Sequence, residues 1–314
     1  MLVKGCSLTT GMPYFVGHLD TGQIILHQNN SLIIMKKIFI FCFATAALFL
    51  FPRCTNDTVA DQSGEAMAKF TSDANFGKAH NTPADINYQG KGTMMDLRTP
   101  DGGMTKIYVN KTADATHKFL YVIHEWWGLN DHIKQEADRL FDELGDVKVV
   151  ALDLYDGKST TNPDEAGKLM GSVSQERREA IVKGALAYAG KDGEIATIGW
   201  CFGGGWSLRT SILAADRGVG CVMYYGMPVE KAEELAPLQA DVLGIFAKKD
   251  KWINEEVIGK FETLAKATGK KVETHWFDAD HAFANPSSDH YKEDEAQAAN
   301  KLALDFLRKK LRSF

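Results

Sequence analysis

Gly199-Trp200-Cys201-Phe202-Gly203 sets a thiol between two glycines, with an apolar run from Ile195 to Trp200 before it and a helix-forming stretch from Gly204 to Ala214 after it. This is the G-x-nucleophile-x-G pattern of a sharp strand-to-helix turn, with cysteine in the place usually held by serine. Small residues two positions to either side let the chain turn tightly and push the side chain out above a sheet. The partial positive charge of a helix N-terminus favours thiolate over thiol, so this position is expected both to expose and to activate the sulfur. The glycines are not followed by Lys-Ser/Thr and do not space as G-x-G-x-x-G, which argues against a phosphate cradle. Cys221, inside an apolar strand, is the other cysteine of the folded body, either a disulfide partner for Cys201 or a small hydrophobe.

A nucleophile on such a turn needs a base and an orienting acid, and these follow it in the chain. Asp250 closes Phe246-Ala247-Lys248-Lys249-Asp250 just past one expected strand, and His281 in Asp280-His281-Ala282-Phe283 follows the next. His281 would take the thiol proton and Asp250 would orient the imidazole. A metal site at Asp278 to His281 lacks a Cys or His pair at ligand spacing, so no metal is expected. Of the other histidines, His275 alternates within a strand, His290 begins the last helix, and His117, His124 and His132 precede the cysteine. For a tetrahedral oxyanion the candidates are the backbone N–H of Phe202 and one from His124-Glu125-Trp126-Trp127-Gly128, taken as that of Trp126.

The elements that must position these residues alternate in type. Met94 to Thr99 and Met104 to Val109 flank Pro100-Asp101-Gly102-Gly103, a hairpin signal. Strands are expected at 119–123, 147–152, 195–200, 219–224, 242–247 and 272–277. Helices are expected between them, after the caps Asn162-Pro163 and Ser174 among others, and at 291–311. Such alternation predicts a mostly parallel sheet covered on both faces, with chemistry at the carboxyl ends of its strands.

The 314 residues carry 41 acidic and 36 basic side chains, a net charge of −5 that argues against a nucleic-acid partner, and 45% apolar residues, which suit a globular α/β domain. Charge and polarity are uneven. Met35-Lys36-Lys37 precedes an apolar stretch from Ile38 to Phe51, too short for a membrane span and right for a signal peptide. Cys54 then sits where a lipoprotein carries its acyl chain, although Pro52 and Arg53 depart from the small residues of a strict lipobox. The reading is an unpatterned upstream segment at 1–34 with translation beginning at Met35, an export signal at 35–54, a polar tether at 55–90 and one α/β domain at 91–314. The protein is therefore expected in the bacterial envelope, periplasmic or tethered to the membrane through Cys54.

Glu125-Trp126-Trp127-Gly128-Leu129-Asn130, Asp153-Leu154-Tyr155, Gly199 to Gly204, Asp250 and His281-Ala282-Phe283 together resemble the dienelactone hydrolase family, over roughly residues 90–314. The resemblance implies an α/β-hydrolase fold, a Cys-His-Asp triad without metal or organic cofactor, and an ester or lactone substrate cleaved through an acyl-enzyme. It also implies a catalytic role for Glu125, which in that family contacts the resting cysteine and helps to generate the thiolate. Trp127, Tyr155, Phe283 and Asn285 are the expected pocket. Asn285 stands where the founding enzymes hold a substrate carboxylate with arginine, and Arg177 and Arg178 are the nearest substitutes. The rival readings are a thioesterase or small-ester esterase, a catalytically silent binding lipoprotein, and a thiol redox protein, the last disfavoured because no C-x-x-C is present.

Overall fold

Ile195 to Trp200 are all buried in the computed structural model, because their strand lies at the middle of a sheet covered on both faces. The structure describes Met67, Phe70, Asp73, Phe76, Gly77, His80 and residues 82–112 and 116–312. The expected export signal, Cys54 and everything upstream of them lie outside these residues.

Among the described residues the strands are β1 (Thr93–Arg98), β2 (Met104–Asn110), β3 (Lys118–Ile123), β4 (Lys148–Leu152), β5 (Glu194–Trp200), β6 (Gly218–Tyr224), β7 (Asp241–Ala247) and β8 (Val272–Phe277). They join in the order β1-β2-β4-β3-β5-β6-β7-β8. β1 and β2 form the antiparallel hairpin, β2 meets β4 antiparallel, and every later pairing is parallel. The helices are α1 (Asp131–Leu144), α2 (Pro163–Ser172), α3 (Gln175–Tyr188), α4 (Phe202–Ala214), the short α5 (Ala232–Leu235), α6 (Glu255–Ala267) and α7 (Glu293–Arg312). No helix among the described residues is long and apolar enough to cross a membrane.

Local chemistry sets the helix starts. Asn130, Asn162, Ser174 and Asn254 each accept backbone N–H bonds at the first turn of α1, α2, α3 and α6, and Pro163 opens α2. Parallel pairing puts the carboxyl ends of β3, β5, β7 and β8 at one edge of the sheet, where α4 also begins.

The segment before the hairpin departs from the expected tether. Met67, Phe76 and His80 are buried, and the Phe76 ring stands edge-on to Trp126 at 5.5 Å and to Trp252 at 5.2 Å. Further along, Tyr88 Oη and the Lys91 N–H both donate to Asp138 on α1, each over 2.7 Å. Average composition is polar here, but a few well-spaced apolar residues suffice to dock a chain into an existing groove.

Candidate active site

Cys201 sits between β5 and α4 at φ 56°, ψ −120°, a conformation that L residues rarely adopt and that a tight surrounding turn must enforce. The flanking glycines are required by contact. A Cβ on Gly199 would lie 2.1 Å from the Gly203 carbonyl oxygen, and one on Gly203 would lie 2.4 Å from the carbonyls of Ile123 and His124. Close packing of β5, α4 and the end of β3 thus enforces the turn that holds Cys201. Cys201 and Cys221 are both free thiols, Cys221 resting against Ser207 Oγ inside the core, so no disulfide joins them.

Asp250 and His281 come together as their spacing suggested. His281 Nδ1 donates to Asp250 Oδ2 over 2.6 Å, and Asp250 Oδ1 accepts the N–H groups of Trp252 and Ile253, each over 2.9 Å. Burial alone would raise the Asp250 pKa, but His281 and these bonds hold it below its ordinary value. Burial would likewise lower that of His281, and the Asp250 carboxylate and the neighbouring sulfur raise it well above the usual imidazole range. His290 Nδ1 bonds the His281 carbonyl, so the last turn before α7 supports the pair from behind.

The sulfur itself is not the activated thiolate expected of a helix N-terminus. Cys201 is 1% exposed, and burial pushes its pKa up, with Glu125 adding to the rise against the opposing influence of His281 and the Phe202 N–H. Desolvation of an anion outweighs a partial dipole charge at so buried an atom.

Glu125 is buried, and Asn285 Nδ2 donates to its Oε2 over 2.6 Å, while Oε1 has no partner among the described residues. Burial raises its pKa to about 7 despite His281 and Asn285. A cavity of about 520 Å³ reaches Glu125, Trp127, Asn285, Trp200 and Arg139. Cys201 and His281 do not line it.

Tyr155 and Phe283, expected in the pocket, lie fully enclosed instead. Tyr155 packs against His124 and Phe202 below the elbow, and Phe283 against Tyr225 and Phe277. Asp153 is also a structural residue, its carboxylate accepting the N–H groups of Tyr155 and Gly157. The two arginines considered as substitutes are engaged elsewhere. Arg177 ties Asp101 of the hairpin to Asp156, and Arg178 is buried with its guanidinium over Phe202 and its Nη2 donating to the Met170 carbonyl.

One residue at the site had no motif to announce it. His80 Nε2 lies 3.6 Å from Cys201 Sγ, and its Nδ1 bonds the Phe76 carbonyl over 2.7 Å. The His80 ring also packs on Trp126 and His281. The only local signal is the Phe76-x-x-x-His80 spacing, and the two rings lie 4.5 Å apart.

Sheet order, elbow cysteine and Asp-His pair define an α/β-hydrolase fold with cysteine in the nucleophile's position. Residues 106–311 match the model of the dienelactone hydrolase family, and the chain belongs to that family, which makes it a hydrolase of ester or lactone bonds. It is 30% identical over 203 residues to protein usf of Aquifex pyrophilus, covering 60% of this chain and 87% of that one. It is 25% identical over 232 residues to the carboxymethylenebutenolidase of Pseudomonas putida, covering 68% and 94%. Its fold is also that of a dienelactone hydrolase-like promiscuous phosphotriesterase from metagenomic libraries, with a TM-score of 0.59 at 20% identity over 70% of this chain and 99% of the other.

Proposed function

We propose that this chain is an exported hydrolase of uncharged esters or lactones that works through a Cys201-His281-Asp250 triad and an acyl-enzyme. The 2.6 Å bond from His281 to Asp250, beside a cysteine held at the elbow, carries the reading. Because Nδ1 is committed to Asp250, the other ring nitrogen of His281 is the one available to the thiol. Cys201 attacks the carbonyl carbon as its proton passes to His281, directly or by way of Glu125. The N–H groups of Phe202 and Trp126 receive the oxyanion, and collapse of the tetrahedral adduct expels the alcohol with a proton from His281. Water, deprotonated by His281, then cleaves the thioester and restores the thiol. Glu125, poised near pH 7 and close enough to act on the thiol electrostatically, suits the step that generates thiolate on demand.

Specificity for uncharged substrates rests on Asn285, whose amide is engaged with Glu125, and on Arg177 and Arg178, whose guanidinium groups are engaged elsewhere in the fold. Turnover of a panel of aryl esters, thioesters and lactones, abolished by iodoacetamide and by Cys201→Ala, tests the proposal. Equal turnover by Cys201→Ala would refute it. Export rests on residues 35–54 and is tested by locating the mature N-terminus.

A further inference from the structure

His80, Cys201 and His281 each turn one ligand-type atom toward a common point, and these atoms all lie within 4.8 Å of one another. Each histidine donates its far N–H outward, His80 to the Phe76 carbonyl and His281 to the Asp250 carboxylate. Metal-binding imidazoles are held in this way, because the outer bond fixes the tautomer and leaves the second nitrogen's lone pair facing the ion. His281 Nε2 is buried and faces no hydrogen-bonding group among the described residues besides the Cys201 sulfur, so an ion sharing that sulfur would satisfy it. One spacing agrees directly. With Zn–S of about 2.3 Å and Zn–N of about 2.0 Å, a tetrahedral ion separates its sulfur and nitrogen ligands by roughly 3.5 Å, and His80 Nε2 lies 3.6 Å from Cys201 Sγ; any wider separation within the 4.8 Å trio closes as the ion binds. The donor set of two imidazoles and a thiolate suits Zn²⁺ and other thiophilic divalent cations rather than Mg²⁺ or Ca²⁺.

We propose that His80, Cys201 and His281 form an inhibitory site for a thiophilic divalent cation, Zn²⁺ foremost, which holds His80 against the nucleophile. One metal–sulfur and two metal–nitrogen bonds form, the Cys201 S–H bond breaks, any proton on His281 Nε2 leaves with it, and both are released to solvent. No electron is transferred. A water fills the fourth position. The ion removes the nucleophile and the base together, and the enzyme becomes latent until the cation is withdrawn. The inference builds on the triad reading, but binding is read spectroscopically and does not depend on turnover.

The test uses the full chain, stripped with EDTA and dialysed, as wild type, His80→Ala, His80→Gln and Cys201→Ala, each checked by circular dichroism. Titration with Co²⁺ should give wild type one equivalent of a thiolate-to-cobalt charge-transfer band, lost in Cys201→Ala and weakened in both His80 variants. Zn²⁺ should inhibit wild-type ester turnover reversibly. Its inhibition constant, referred to each variant's own metal-free rate, should rise at least about tenfold in both His80 variants, the least that losing a metal's supporting partner costs. Absence of the thiolate band in wild type overturns the proposal. So does an inhibition constant unchanged in the His80 variants, which would leave the ion on Cys201 and His281 alone.

Discussion

Asn285 Nδ2 donates to Glu125 Oε2 over 2.6 Å, so the side chain expected to meet a substrate instead holds a carboxylate of the protein. Glu125 lies buried with a pKa near 7, and a neutral amide is the partner that leaves it there. An arginine at the same position would pair with Glu125 and favour its ionised form, typically by one to three pH units at about this distance. Asn285→Arg is therefore expected to change protonation at the site as well as substrate charge preference.

Glu125 is protonated below about pH 7 and ionised above it, so a role as proton acceptor makes kcat/KM rise as pH increases through about 7. Asn285→Arg should move that limb down by at least about one unit, and Glu125→Gln should remove it. A pH–rate profile of the three proteins on one uncharged ester is the measurement.

Uncharged esters and lactones should have higher kcat/KM than analogues carrying a free carboxylate. An unpaired anion buried in the site costs several kcal/mol, and Arg177 is committed to Asp101 and Asp156. Paired substrates that differ only in that carboxylate check the ratio, and a preference for the anionic member would show that another cation reaches the pocket.

Cys201→Ala should lower ester turnover by at least about a thousandfold with little change in stability, because it removes the covalent route. Cys221→Ala, in the core beside Ser207, should retain most activity and lose stability modestly. Steady-state kinetics and thermal melts of both proteins separate the two roles.

Docking of His80 should weaken as pH falls. Burial, with His281 and His290, holds the His80 pKa at about 3 against an ordinary 6.5, while the Phe76 carbonyl and Asp250 act the other way. Between pH 6.5 and about 3 the undocked imidazole takes up a proton that the docked one refuses, so docking loses about 1.4 kcal/mol per pH unit, or about 2 kcal/mol by pH 5. Hydrogen exchange of residues 67–80, corrected for its intrinsic pH dependence, should quicken from pH 7 to 5 in wild type. The pH-dependent part should vanish in His80→Ala.

Gly203→Ala should cost at least about 1–3 kcal/mol, since its Cβ would meet two backbone carbonyls that cannot yield without opening the elbow. Activity should fall by more than stability accounts for, as the Cys201 sulfur and the Phe202 N–H move together. Chemical denaturation and kcat on one preparation compare the two losses.

What this sequence determined unaided is whatever depends on neighbours along the chain. Apolar runs marked the parallel strands, Asn162-Pro163 and Ser174 marked helix starts, and Gly199 and Gly203 marked the elbow, because periodicity, capping and close packing of a tight turn leave traces within a few residues. Cys201, Asp250 and His281 were legible as candidates since each follows a strand and strand ends share an edge. Tertiary structure alone decided what distant side chains do to one another. It turned Asn285 onto Glu125 across 160 positions, enclosed Tyr155 and Phe283, committed Arg177 to the hairpin, and docked His80 on a sulfur 121 positions away. It also reversed the expected charge state of Cys201: a helix terminus can be read from sequence, whereas desolvation depends on every element packed around the atom, and here desolvation is the stronger effect.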